Sequence, residues 1–305
     1  MSGGSRITVL HVGNAVAFGA VILVNALAGS TTLIGGRNTA DVSAAFPTLI
    51  TPAGFTFSIW GVIYALLAAF VIFQFLPRHR QDPFNKQVGY FFILSSLFNI
   101  VWLFLWQNEY VVASVLVIFA LFVSLAITYL RLNVGRAEAP RGERVCVHLP
   151  FSVYLGWITI ASIADVSAGL VSISWTGLGL PPTEWAQLVV IVALAITLTV
   201  LGTRRDPAYG LVIVWALVGI TANQLGHPGV VLVTETSAVV IAASTLFVLF
   251  LALTRPRKAT GQVAAAEGHD FPKSALTSSL NVKSLGIGLH ASDDTTSTEP
   301  GMSHS

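Results

Sequence analysis

Hydrophobic positions in this chain are gathered into long blocks separated by short polar breaks. Eight blocks stand out, at 7–29, 53–76, 88–108, 110–132, 145–169, 184–203, 206–226 and 229–254. A helix that crosses a bilayer needs about 20 mostly apolar residues. The pattern therefore predicts an all-α membrane protein built as an eight-span helical bundle. Gln107, Asn108 and Glu109 alone divide the third block from the fourth, and His227 with Pro228 divides the seventh from the eighth. Those pairs are expected to be antiparallel neighbours. The connection at 30–51 is longer and rich in Gly and Thr, and Pro47 and Thr51-Pro52 suit a break before the second span. The connection at 170–183 carries Trp175 and Pro181-Pro182. Beyond 254 the apolar blocks stop. Ser, Thr, Gly, His and mixed charges predict a disordered tail over 255–305.

Composition supports lipid as the solvent. Hydrophobic residues make up 54% of the chain and charged residues 10%, against about 25% charged in soluble domains. A soluble fold of this size has too little polar surface to cover such a sequence. The net charge of +2 and the confinement of basic residues to connections leave no stripe for nucleic acid. Cys146 is the only cysteine, so neither an intrachain disulfide nor a cysteine-based metal cluster is available.

Charge placement predicts orientation. Arg6, Arg78, Arg80, Lys86, Arg131, Arg136, Arg141, Arg144, Arg204, Arg205, Arg255 and the basic residues beyond it fall on one side of the eight-span arrangement, and Arg37 on the other. Lysine and arginine favour the cytoplasmic side, so both termini are expected there. Arg6, the apolar run and Ala26-Leu27-Ala28 also resemble a cleaved signal peptide. The run is long for that role and contains Asn14 and Asn25.

No catalytic motif is present: there is no phosphate-binding glycine loop, zinc-protease helix or nucleophile elbow. No span has a lysine in its interior, which excludes a retinal Schiff base. The reading is therefore not an enzyme, with no metal and no covalent cofactor. The polar and aromatic residues of the spans collect in their outer halves, and the cytoplasmic halves read as plainer. Asn25, Phe55, Phe57, Trp60, Asn99, Trp102, Trp106, Trp157, Asp165, Asn223, Gln224, His227 and Glu235 all fall in that outer zone. Phe57, Trp60 and Tyr64 follow helical spacing and share a face, as do Asn99, Trp102 and Trp106. Tyr154, Trp157, Ala161 and Asp165 continue one face for three turns. Such faces suit a flat, largely apolar ligand.

Plainer roles compete for these residues. Trp106, Trp175 and Trp185 read as interfacial anchors. Trp60, Trp102 and Trp157 serve a pocket or helix packing, and Asn99 a pocket or a bond to a neighbouring helix. Asp165 and His227 read as reaching interfacial water, and His148 as a boundary residue. Glu235, about two turns inside the last span, is costly there unless functional or paired. Leu125, Tyr129 and Arg131 fit a proposed cholesterol motif that matches many unrelated helices.

Three segments resemble the tryptophan-rich sensory protein/translocator protein family, also called the peripheral benzodiazepine receptor family. The first runs from Thr51-Pro52 through Phe55, Phe57 and Trp60 to Tyr64; the second from Phe98-Asn99 through Trp102 to Trp106; the third is Tyr154-Leu155-Gly156-Trp157 with Ala161-Ser162. The resemblance covers about residues 7–169. Departures are the single Pro52 beside Thr51, the early Pro150, Asp165 where the family has asparagine, and the three added spans. They suggest an enlarged, divergent branch. The resemblance implies a five-helix translocator-protein-like unit at 1–169, followed by three additional helices at 170–254 and the tail at 255–305. It implies an apolar cavity capped by 30–51 and lined or supported by Trp60, Asn99, Trp102, Tyr154 and Trp157. Family members bind porphyrin or haem, and some bind sterols.

The leading expectation is a receptor or regulator of a flat hydrophobic ligand, tetrapyrrole first and sterol-like second. Its binding set is Phe57, Trp60, Tyr64, Asn99, Trp102, Tyr154, Trp157 and Asp165. The alternative is a secondary transporter of a small amphipathic molecule, coupled to protons through Glu235 and His227. A scaffold whose aromatics only pack helices is a third reading. Membrane lipid and a hydrophobic small molecule are the expected partners, and homodimerisation is left open.

Overall fold

The computed structural model describes residues 3–31 and 33–254, so the tail predicted at 255–305 lies outside the described residues. In chain order the helices are α1 (Gly3–Ser30), α2 (Thr39–Ala45), α3 (Ile59–Phe75), α4 (Pro83–Val88), α5 (Phe91–Gln107), α6 (Val111–Arg131), α7 (Leu149–Ser172), α8 (Pro182–Arg204), α9 (Pro207–Asn223) and α10 (Pro228–Thr254). A π-helical turn at Arg144–His148 leads into α7. Each of the eight apolar blocks corresponds to one long helix. Six helical segments are long and apolar enough to cross a membrane, whereas Phe91–Gln107 and Pro207–Asn223 are shorter. At 17 residues each, these two are about 25 Å long, short of a hydrocarbon core of about 30 Å. Their sequence blocks were longer because they also took in residues 88–90 and 108, and 206 and 224–226, which lie outside these two helices. Gly89, at φ 52, closes α4 and leaves α5 to start after it.

Local chemistry sets the helix ends. Pro83, Pro182, Pro207 and Pro228 each begin a helix, where the missing N–H is no loss. Asn38 accepts from the N–H groups of Ala40 and Asp41 at 3.0 and 2.9 Å and caps α2. Arg205 takes a left-handed conformation at the end of α8. Asp206 then caps α9 through Ala208 N at 3.1 Å and Tyr209 N at 3.3 Å.

The described helices pack into one compact unit. Segment Arg141–Ser172 is its axis: 78% of its most apolar window is buried, against 17–39% for the other five long segments. On one side α7 packs against α6, and α6 against α5; α1 packs on α5 and α3. On the other side α7 packs against α9, which carries α10 and with it α8. The three added helices therefore join the first five chiefly through the α7–α9 contact. Helix α1 is integral to this packing, with buried His11 and Asn14.

One end of the bundle gathers the basic connections. Arg131 donates to the Lys86 carbonyl at 2.8 Å, Arg136 to the Thr203 carbonyl at 2.7 Å and Arg204 to Asn133 at 2.9 Å. The helix halves near this basic end are not plain, contrary to the sequence expectation. His11 hydrogen-bonds Asn85 at 2.9 Å, and Asn14 donates to Gln74 at 3.0 Å. Buried Asp206 accepts from Tyr129 at 2.9 Å and from Ser152 at 2.6 Å. His148 is buried 3.5 Å from Glu143 rather than sitting at a boundary. Leu125 and Tyr129 are buried too, so the cholesterol-like pattern does not face lipid.

Candidate functional site

The opposite end of the bundle is covered by the connection between α1 and α3, and both halves of that connection are tied down. Its first half rests on the α5–α6 turn. Trp106 Nε1 donates to the Thr39 carbonyl at 3.2 Å, and Arg37 pairs with Glu109 at 3.0 Å. Gln107 Nε2 donates to the Ala28 carbonyl at 2.8 Å. Gly35, at φ 68, lies so close to the Gln107 carbonyl that a Cβ would overlap it.

The second half is held by α9. Asn223 Nδ2 donates to the Thr51 carbonyl at 3.1 Å, and Gln224 Nε2 to the Thr48 carbonyl at 3.3 Å. Ala53 N reaches the Gly219 carbonyl at 2.9 Å, and Trp215 Nε1 the Thr56 carbonyl at 3.0 Å. A Cβ on Gly219 would overlap the Thr56 side chain, so only glycine permits this approach.

Beneath the connection lies an aromatic cluster. Trp60 is stacked on Tyr64 with centroids 5.6 Å apart, tilted against Trp102 at 6.4 Å, and edge-on to Tyr154 and Trp157 at 6.0 and 6.2 Å. Phe57 meets Trp157 edge-on at 6.0 Å. The rings that the sequence put on separate helix faces thus converge. They occupy one another, however, and the space left among Phe57, Trp60, Trp102, Trp157 and Asp165 is about 40 Å³. That is near the volume of one water molecule, about 30 Å³.

Asp165 is buried, not at interfacial water. It accepts from Trp102 Nε1 at 3.1 Å and from Ser114 Oγ at 2.9 Å, and these donors make its burial tolerable. Asn99 is buried and accepts from Asn25 at 2.8 Å, a helix-to-helix bond. Trp157 Nε1 and the Tyr64 hydroxyl are buried without a hydrogen-bond partner.

The open space lies next door. A cavity of about 860 Å³ extends from the α1–α3 connection to α7, α8 and the α9–α10 turn. Pockets for drug-sized ligands run from about 300 to 1,000 Å³. Phe57, Thr51 and Pro52 line both spaces and form the boundary between them. Trp175 and Trp185 meet edge-on at 4.7 Å and line the far wall. Both had read as anchors for the membrane interface; each is half-buried and turned to the cavity. Trp106, read the same way, is buried and holds the connection.

Of the predicted binding residues, Phe57 borders the large cavity, and Trp60, Trp102, Trp157 and Asp165 border the small one. Tyr64, Asn99 and Tyr154 line neither space. His227 is exposed and lines the large cavity. Glu235 is exposed on the outer side of α10, because Thr234, Ser237 and Ala238 of that helix face inward. Glu235 lines neither space. Ser114 and Trp215 were missed. A lone serine in an apolar helix carries no signal, but Trp215 could have been noticed as a tryptophan inside a span. Among the described residues, no group of three His, Cys, Asp or Glu is placed to hold a metal ion.

The family described as TSPO-like protein matches residues 10–253 of the chain. No curated protein and no solved structure matches it.

Proposed function

The chain belongs to the TSPO-like protein family, and on that premise we propose that it is a multi-pass membrane receptor or regulator that binds a flat, largely apolar ligand in the covered cavity. The single observation carrying this reading is the cavity of about 860 Å³ beneath a tied-down connection, bordered by Phe57, Trp175 and Trp185. Flat apolar molecules gain most from such walls, since aromatic side chains offer large faces and edges at little entropic cost. Tetrapyrroles are the first ligand class to try, and sterol-like molecules the second. In this reading the eight apolar helices all cross the membrane, the two shorter ones with local thinning of the bilayer. The basic end faces the cytoplasm, which puts the cavity on the opposite side.

The transport alternative loses its main support, because Glu235 lies on the exposed face of α10, away from both spaces. Fluorescence titration of the purified chain with protoporphyrin dimethyl ester, a tetrapyrrole without free carboxylates, tests the binding reading. Saturable quenching is expected. A Trp175→Ala/Trp185→Ala variant removes two aromatic walls of the cavity. Its affinity should fall roughly tenfold, the equivalent of about 1.4 kcal/mol of lost aromatic contact. Non-saturable quenching, corrected for inner-filter absorption, overturns the proposal.

A further inference from the structure

The charges around the cavity restrict what it accepts. Its ionisable lining residues are Asp41 and His227, and neither lysine nor arginine lines it. The adjoining small space adds Asp165, whose oxygens already accept from Trp102 and Ser114. Nearby at the same end, Arg37 is engaged by Glu109 at 3.0 Å. The first turn of α8 reaches the cavity through Pro182 and Trp185, and a helix N-terminus ordinarily favours anions. Here that turn carries Glu184, which opposes the effect. The Gln224 amide N–H groups are directed at the Thr48 and Thr51 carbonyls, and Asn223 spends one of its two on the Thr51 carbonyl, so their oxygens and one Asn223 N–H are left for a ligand. The lining therefore offers neutral polar groups and a carboxylate but no lysine or arginine.

A carboxylate taken from water into such a space meets no counter-charge, and an unpaired buried charge is costly. We propose that the cavity selects planar amphiphiles that are uncharged or positively charged and discriminates against those bearing carboxylates. This rests on the ligand-binding reading and narrows it. The site takes a polycycle without acidic substituents or an aromatic cation, with the cationic group facing Asp41.

The test compares three planar probes on the full chain in non-ionic detergent at pH 8, above the ordinary range of histidine titration. They are protoporphyrin with its two carboxylates free, protoporphyrin dimethyl ester, and the monocation acridine orange. The ester should bind about tenfold or more tightly than the free acid, and acridine orange should bind saturably. Asp41→Asn should weaken acridine orange roughly threefold and leave the ester unchanged. Partition into micelles is distinguished because it neither saturates nor responds to Trp175→Ala/Trp185→Ala. Free acid binding as tightly as the ester overturns the charge selectivity while leaving the binding reading intact. If none of the three probes saturates, both fail.

Discussion

The two ends of the bundle treat buried polarity differently. At the basic end, polar side chains close on one another: Asp206 takes Tyr129, Ser152 and the first turn of α9, and His11 takes Asn85. At the covered end, polar groups border empty space. Trp157 Nε1 has no partner, and Thr51, Asn223 and Gln224 face a cavity of about 860 Å³. Such a network fixes helix positions, although Asn14 Oδ1 and His148 Nε2 at that end are left without hydrogen-bond partners. The open, aromatic-walled cavity has the volume of a ligand pocket, and the unpaired Trp157 donor borders the small space beside it. On the proposed reading one end is architecture and the other recognition, and α7 runs through both.

Substitutions can break that division. The largest expected effect is at the basic end. Asp206→Ala removes the acceptor of two buried hydroxyls and the cap of α9. It should cost roughly 3 kcal/mol, read as a lower unfolding temperature in detergent. Ligand affinity measured well below that temperature should not change; a large change would make the basic end part of the site. Gly219→Val comes next. The side chain must displace Thr56, at about 1–3 kcal/mol. Its signature should be faster hydrogen exchange over residues 48–56, where α9 holds the connection. Unaltered exchange there would show that α9 does not secure it. The smallest effect is expected from Glu235→Gln. An exposed residue outside both spaces should shift stability by no more than about 0.5 kcal/mol and leave binding unaltered. A marked loss of binding or flux would restore Glu235 to the mechanism.

Much of this division was legible in the sequence, but unevenly. The apolar blocks located all eight long helices, because a run of apolar residues can be read without knowing its neighbours. Helical spacing put Phe57 and Trp60 on one face, and Trp102 and Trp157 on the polar faces of their own helices, since residues three and four apart share a face; their place in the outer halves set them at one level. Spacing could not say whether those rings would surround a space or fill it. Asp165 was misjudged because its partners, Trp102 and Ser114, come from other helices, 63 and 51 positions away. Glu235 was overvalued for a related reason. Helix α10 is apolar on every side, so its sequence does not distinguish the face toward α9 from the face toward lipid. The role of the added helices was hidden too. Asn223 and Gln224 read as cavity polar groups, and their bonds to Thr51 and Thr48 span more than half the chain. The polar networks of the basic end were overlooked because His11, Asn14 and Gln74 look incidental until α1 and α3 are packed together.

The central claim is that the ligand occupies the covered cavity rather than the aromatic cluster or the basic end. The most direct measurement is the maleimide labelling rate of a Thr176→Cys variant with Cys146 replaced by Ser, in the presence and absence of saturating protoporphyrin dimethyl ester. Thr176 lines the cavity and is exposed, so labelling should be fast in the free protein and slowed about tenfold by a ligand that occupies 90% of the sites. Saturable binding with labelling unchanged at Thr176→Cys would contradict the account and move the ligand elsewhere in the bundle.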